Sequence, residues 1–140
     1  MKLRVLGIDH GQKRIGIALS DTMGMIASPL TTIEHTSDAA DINAVITLIE
    51  KNSVCEIVVG IPISLDGSIG NQAKRAAYFA RLIAKESNKP VETIDERFST
   101  QEAKRKIAEI GRQRSKDKGR LDSAAAAVLL QSYLDSRPRT

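Results

Sequence analysis

Five short apolar runs, separated by turns or by helical patterns, constrain the fold of this chain more than any other feature. The runs lie at residues 3–9, 14–21, 25–33, 53–62 and 91–95. Short turns join the first three, which predicts an antiparallel meander, whereas helical segments join the later ones, which predicts parallel strands. We therefore expect an α/β fold with a mixed five-stranded sheet flanked by helices, in a single domain over residues 1–140.

Four segments have helical spacing or composition. The first follows possible N-terminal caps at Thr36, Ser37 and Asp38, and Gly111 is expected to end the third. Pro29 in the third strand predicts an edge strand or a bulge, because proline lacks the N–H of a sheet ladder. The predicted helices cover residues 39–52, 71–87, 100–111 and 121–136.

Three acidic residues stand where predicted elements begin or end. Asp9 and Glu96 close the first and fifth strands, and Asp122 opens the last helix. If the fold brings these carboxylates together they will repel one another, unless a divalent cation neutralises them. Hard oxygen ligands suit Mg²⁺ or Mn²⁺. This pattern favours metal-assisted chemistry on phosphate.

Each acid also has a structural interpretation. Asp9 could bond the backbone of the turn that follows it, and Asp122 could cap its helix or complement the helix dipole. Glu96 could act in the same way before the third helix. Strand alternation sends Asp95 and Glu96 to opposite faces, so that one should meet the site and the other solvent or Arg97.

Positive charge is concentrated in the last third of the chain. Residues 97–140 carry 11 Lys and Arg against five Asp and Glu, whereas residues 1–96 carry ten against 12. A basic run of this kind favours a phosphate backbone as partner, although a solvated loop is the alternative. The predicted nucleic-acid contacts are Lys13 and Arg14, after Asp9, together with Arg112, Arg114, Lys116, Lys118 and Arg120.

Other classes of site are disfavoured. A single Cys55 excludes an intramolecular disulfide framework and a cysteine-based zinc site. No apolar run reaches membrane-spanning length, and none resembles a signal peptide, which predicts a cytoplasmic protein without a membrane partner. Aromatic residues make up only 3% of the chain. We therefore expect no stacking platform for bases and no sequence-specific reading of single strands.

Four motifs together resemble a known family. GIDHGQKRIGIALSD, VVGIPISLDGSIGNQA, TIDERFST and LDSAAAAVLLQSYL are similar, in order and spacing, to the YqgF-type (RuvX) bacterial proteins, described as pre-16S rRNA nucleases and earlier as Holliday junction resolvases. The resemblance covers nearly the whole chain. It implies an RNase H-like fold and places the family's acidic triad on Asp9, Glu96 and Asp122, as catalytic residues and ligands of Mg²⁺ or Mn²⁺.

The function implied by the resemblance is metal-dependent hydrolysis of phosphodiester bonds, with processing of the 5′ end of precursor 16S rRNA in the cytoplasm as the favoured role. Three alternatives remain: a resolvase acting on branched DNA, a non-catalytic RNA-binding assembly factor and, from the β-β turn alone, an actin-like nucleotide-binding protein. The last would need two related halves, and this chain has room for one. Both a monomer and a homodimer are open.

Overall fold

A mixed five-stranded sheet forms the centre of the molecule, in the order β3-β2-β1-β4-β5. The structure, a computed structural model, describes residues 4–112 and 120–138, with the backbone alone at 111, 112, 120 and 121. The strands are β1 (Val5–His10), β2 (Arg14–Ser20), β3 (Ala27–Glu34), β4 (Glu56–Ile61) and β5 (Val91–Asp95). The helices are α1 (Asp38–Lys51), α2 (Asn71–Ser87), α3 (Gln101–Arg112) and α4 (Arg120–Ser136), and a 3-10 turn covers Glu96–Phe98.

The strand directions agree with the prediction. β1 and β2 pair antiparallel, as do β2 and β3, whereas β1–β4 and β4–β5 are parallel. β3 is an edge strand, and its register shifts opposite Ile17 and Ala18, with Pro29 opposite Ala18. The edge position and the irregular register accommodate a proline, which cannot donate to a sheet ladder.

Two helix boundaries illustrate the local chemistry. The Ser37 hydroxyl accepts a hydrogen bond from the Ala40 N–H at 3.1 Å and begins α1, and Thr100 does the same for Ala103 at 3.0 Å ahead of α3. The cap at Ser37 is one of the three that the sequence predicted. The expected stop at Gly111 was wrong, because α3 continues to Arg112. Glycine lowers helix propensity but does not by itself end a helix.

Each face of the sheet carries its own apolar cluster. Leu6 and Ile8 pack on one side with Phe79 of α2 and with α1. Val5 packs on the other side with Ala126 of α4 and with α3. Alternation along β1 places Gly7 and Asp9 on the α4 face. A Cβ at Gly7 would lie 2.8 Å from Leu130 Cβ, which shows how closely α4 approaches the sheet.

The closest approach of α4 is at Gly16 in β2. A Cβ there would lie 2.0 Å from the backbone oxygen of Asp122 and 2.4 Å from its carbonyl carbon. Backbone atoms have no alternative rotamer, so any side chain at this position must displace the N-terminal end of α4.

Gly16→Ala should therefore lower the free energy of unfolding by about 3 kcal/mol, the upper part of the usual range for overpacking. Urea denaturation followed by circular dichroism measures this change. Gly70→Ala is the matched control, because no atom lies within 4 Å of the position that a Cβ at Gly70 would occupy. Equal stability of the two variants would contradict the close approach of α4.

Candidate active site

Asp9 lies in the central strand between two glycines. In the sheet register it is opposite Gly16 of β2 on one side and Gly60 of β4 on the other. The Asp9 side chain points to the α4 face, and neither neighbour has a side chain to share that space. The row Gly16–Asp9–Gly60 therefore leaves a gap in the sheet surface on either side of one carboxylate.

Glu96 fills the gap beside Gly60. β5 ends at Asp95, and the 3-10 turn then directs the Glu96 side chain across the end of β4. A Cβ at Gly60 would lie 3.0 Å from Glu96 Cγ and 2.7 Å from Leu129 Cδ2. Any other residue at position 60 would thus compete with Glu96 for its place.

Asp122 lies beside the opposite gap. It is in the first turn of α4, and its backbone oxygen lies against Gly16. The three acids come from strand β1, a turn after β5 and a helix distant in sequence. The two glycines beside Asp9 are what allow the other two acids to approach it.

The carboxyl groups of Asp9 and Glu96 share a hydrogen bond. Burial, the negative charge of Asp9 and this hydrogen bond raise the pKa of Glu96 to about 8. Burial also raises the pKa of Asp9, and repulsion from Asp122 adds to it, while the bond with Glu96 acts in the opposite direction. Near neutral pH, Glu96 is therefore protonated, and its O–H donates a hydrogen bond to the Asp9 carboxylate.

Arg14 pairs with the third acid. Its Nε donates to Asp122 Oδ2 at 3.0 Å, with 49% of the Arg14 side chain and 36% of the Asp122 side chain exposed. Lys13, predicted with it as a phosphate contact, is exposed. Arg14 thus holds Asp122 in this structure, and its exposed guanidinium remains at the border of the site.

The closest group of potential ligands among the described residues is elsewhere. Ligand atoms of His35, Asp38 and Asp41 all lie within 4.8 Å of one another. Asp41 is buried, contacts His35 Nδ1 and accepts from the Thr36 N–H at 3.2 Å. These bonds join the end of β3 to the first turn of α1, on the face opposite Asp9, and explain the cluster without an ion.

Much of the predicted nucleic-acid surface lies outside the described residues. Arg112 ends α3 and Arg120 begins α4, but only their backbone is described. Arg114, Lys116 and Lys118 fall between the two described segments. In sequence, the run joins the end of α3 to the start of α4, the helix that carries Asp122.

A brace lies next to Glu96. Its pairing of Asp95 with Arg97 was one of the outcomes expected from the sequence, whereas its contact with Ser64 was not predicted. Asp95 Oδ2 accepts from Arg97 Nε at 2.8 Å and from its terminal nitrogen at 2.6 Å, and Arg97 donates to the Ser64 carbonyl at 3.4 Å. Asp95 meets Arg97 while Glu96 meets Asp9, which is the predicted division, although a 3-10 turn rather than strand alternation produces it. Phe98 follows this brace and is 69% exposed. The available signal for this exposed side chain was an aromatic residue two positions after Glu96.

Comparison with known proteins identifies the family. A family model described as "RuvX: Holliday junction resolvase" matches residues 3–136. The chain belongs to this family. It is an enzyme of the class that hydrolyses phosphodiester bonds, as its motifs predicted. Two similar relatives, each named "Putative pre-16S rRNA nuclease", come from Synechocystis sp. and Gloeothece citriformis. They are 43% and 40% identical over 136 residues, covering 97% of this chain and 90% of each relative.

Solved structures support the RNase H-like fold of this RuvX family member. Thermus thermophilus RuvC in complex with a Holliday junction substrate has a TM-score of 0.65 at 15% identity, covering 95% of both chains. The fowlpox virus Holliday junction resolvase has a TM-score of 0.59 at 15% identity, covering 96% of this chain and all of that one. At such identities the likeness concerns the fold. Within the described residues, no helix is long and apolar enough to cross a membrane.

Replacing Glu96 by Gln should stabilise the metal-free protein at high pH. The folded-state pKa of about 8 exceeds the ordinary value of 4.5. Between these pH values Glu96 is protonated in the folded protein and ionised in the unfolded chain. The stability of the wild type should therefore fall as pH rises through that window, whereas Gln mimics the protonated acid at every pH.

In EDTA we expect Glu96→Gln to raise Tm by about 3–6 °C at pH 8.5 and to leave it almost unchanged at pH 5. Differential scanning calorimetry at both pH values measures this difference. Glu86→Gln, an exposed acid on α2, should change neither value. A Tm shift of the same size at both pH values would contradict a shared proton between Asp9 and Glu96.

Proposed function

We propose that Asp9, Glu96 and Asp122 form a single catalytic centre that holds Mg²⁺ or Mn²⁺ and cleaves a nucleic acid, with the 5′ region of precursor 16S rRNA as the favoured substrate. The row Gly16–Asp9–Gly60 carries this proposal, because it opens space on each side of one acid for another. Turn or cap roles would explain each acid separately, but not why both neighbours of Asp9 lack side chains.

The donor set fits a hard divalent cation. Two carboxyls share a proton and a third borders them. Burial, together with repulsion between the acids, raises the pKa values of Asp9 and Glu96, and a bound cation would neutralise the charges that cause both effects. Carboxylate oxygens are the ligands that Mg²⁺ and Mn²⁺ prefer. When bound, such an ion supplies positive charge to the phosphate and lowers the pKa of water.

The chain's own residues would orient the strand and the acids. Arg14 holds Asp122 through Nε and leaves its exposed guanidinium edge at the border of the site for a phosphate oxygen. The Asp95–Arg97 brace fixes the turn that aims Glu96 at Asp9. Lys13 and the basic run 112–120 would add phosphate contacts that set affinity without reading sequence.

The names of the relatives support the choice of substrate. Relatives about 40% identical over nearly the whole chain are named for pre-16S rRNA, which favours RNA processing during ribosome assembly in the cytoplasm. The whole chain, 1–140, would act as one nuclease domain. The family description favours a second candidate, resolution of a four-way DNA junction. Paired nicks in a junction would require a homodimer.

Neutralising the triad should abolish cleavage while leaving strand binding largely intact. With Mn²⁺ and a model RNA spanning the 5′ end of 16S rRNA, Asp9→Asn, Glu96→Gln and Asp122→Asn should each lower kcat at least about 100-fold. Gel analysis of end-labelled RNA measures the rate, and a four-way DNA junction in parallel tests the second candidate.

Asp38→Asn is the matched control, because it removes an exposed acid from the His35–Asp38–Asp41 cluster. It should retain the wild-type rate. Full activity of all three triad variants, or loss of activity only in Asp38→Asn, would refute the catalytic role proposed for Asp9, Glu96 and Asp122. Intact processing by a triad variant would instead favour the non-catalytic assembly factor.

The basic run should contribute through charge alone. Combining Lys116→Gln with Lys118→Gln should weaken binding of all strands about equally, and should reduce the slope of log K against log salt by roughly 1.4 for single strands. Fluorescence anisotropy between 50 and 300 mM KCl, a range chosen on the order of physiological salt, measures this slope.

Lys85→Gln with Lys89→Gln provides a control of equal charge. Lys85 lies near the end of α2 and Lys89 lies before the start of β5. Asp95 and Glu96 lie at the other end of that strand. The control pair should leave the salt slope unchanged. An equal effect of both pairs would mean that net charge, rather than the run, governs binding.

A further inference from the structure

Phe98 is an exposed aromatic side chain at the border of the acidic site. It is the last residue of the turn that begins with Glu96, and 69% of it is exposed. The chain's other phenylalanine, Phe79, is 1% exposed. Single exposed apolar residues are ordinary on protein surfaces, so the exposure of Phe98 needs a second observation before it indicates a function.

The second observation is that apolar side chains border the same end of the sheet. The loop between β4 and α2 presents Leu65 and Ile69, which are 94% and 59% exposed. This loop follows the end of β4, next to Gly60, and the turn with Phe98 follows the end of the neighbouring strand β5. Both segments therefore begin at the same end of the sheet as Asp9 and Glu96.

Hydrogen bonds hold the two segments in place. The Arg97 brace ties the turn to Asp95 and to the Ser64 carbonyl. The loop closes on itself, since the Gly67 N–H donates to the Ser64 carbonyl at 2.8 Å and the Ser68 N–H donates to Asp66 Oδ1 at 2.9 Å. Phe98 and Leu65 each adjoin a residue of the Arg97–Ser64 contact. These bonds hold the segments from which the two exposed side chains extend.

We propose that Phe98 stacks on a nucleobase next to the scissile phosphate and so selects strands in which that base is unpaired. The inference rests on the proposed nuclease function and specifies its substrate class. Every base has a π face, so stacking tolerates any sequence. A base inside a duplex already stacks on both sides, so only an unpaired or splayed base is free to meet Phe98.

Distance and charge both favour a base as the occupant. Two residues of backbone span at most about 7 Å, which places Phe98 within one or two nucleotides of a phosphate at Glu96. The guanidinium of Arg97 next to Phe98 is already engaged by Asp95 and by the Ser64 carbonyl, so it is a poor site for a phosphate there. The uncharged face of a base is the part of the same substrate that suits this surface. The low aromatic content of the chain excludes an extended platform, but one residue is enough for one base.

Binding of strands containing 2-aminopurine tests this proposal without cleavage. Single-stranded oligonucleotides carry the fluorescent base at successive positions around the cleavage site, and Ca²⁺ replaces Mg²⁺. Wild-type protein should change the fluorescence most at one position. Phe98→Ala should remove that change and weaken binding roughly 5- to 100-fold, the range for loss of one base–aromatic contact.

Two matched variants control the experiment. Phe98→Tyr keeps the ring and should behave as wild type. Tyr78→Ala removes an aromatic side chain that is 47% exposed on α2 and should leave binding and fluorescence unchanged. The same fluorescence change in wild type and Phe98→Ala, or equal losses in Phe98→Ala and Tyr78→Ala, would overturn the proposal. All variants should unfold within about 2 °C of the wild type.

Cleavage kinetics separates this inference from the proposed function. Removing the base at the critical position, by an abasic substitution, should raise KM for the wild type and have no further effect in Phe98→Ala. A Phe98→Ala variant with a lowered kcat and an unchanged KM would overturn stacking while leaving the nuclease intact. Absence of cleavage by the wild type would refute the nuclease, and the fluorescence measurement would still decide whether Phe98 contacts a base.

Discussion

The site depends on one constraint, which is that backbone and side chains from three separate segments approach a single carboxylate at the middle of the sheet. Asp9 has Gly16 and Gly60 as its neighbours in the sheet. The start of α4 rests on the first, and the side chain of Glu96 rests against the second. A methyl group at either position would separate the acids that the fold brings together, so packing and function constrain the same two residues.

This arrangement opposes stability in the absence of a cation. Burial and like charge raise the pKa values of Asp9 and Glu96. The proton that they share neutralises only one of the two carboxylates. Arg14 compensates Asp122 from a half-exposed position, where an ion pair contributes little to stability. A chain under selection for stability alone would place apolar residues here. Groups of ionisable residues with strongly raised pKa values are typical of functional sites.

The order of elements and the strand directions were predictable from the sequence. Apolar runs indicate the strands, and the lengths of the connections between them indicate antiparallel or parallel pairing. Asp9 was predictable as a strand-end residue. The exact approach of Glu96 was not, since a 3-10 turn rather than strand alternation aims it. Gly16 appeared in the sequence only as a strand residue, because its contact with Asp122 spans over a hundred positions. The interest of Phe98 rests on the exposure of its side chain, which cannot be predicted from composition. The site contacts of Lys116 and its neighbours remain a prediction.

A crystal structure with Mn²⁺, prepared above pH 8 so that Glu96 is ionised, tests the central claim most directly. Anomalous scattering locates the ion independently of the protein atoms. We expect manganese bound between Asp9 and Glu96, with carboxylate oxygens at about 2.2 Å and Asp122 turned toward the same centre. Manganese bound only by His35, Asp38 and Asp41, with the Asp9–Glu96 hydrogen bond still intact, would contradict it.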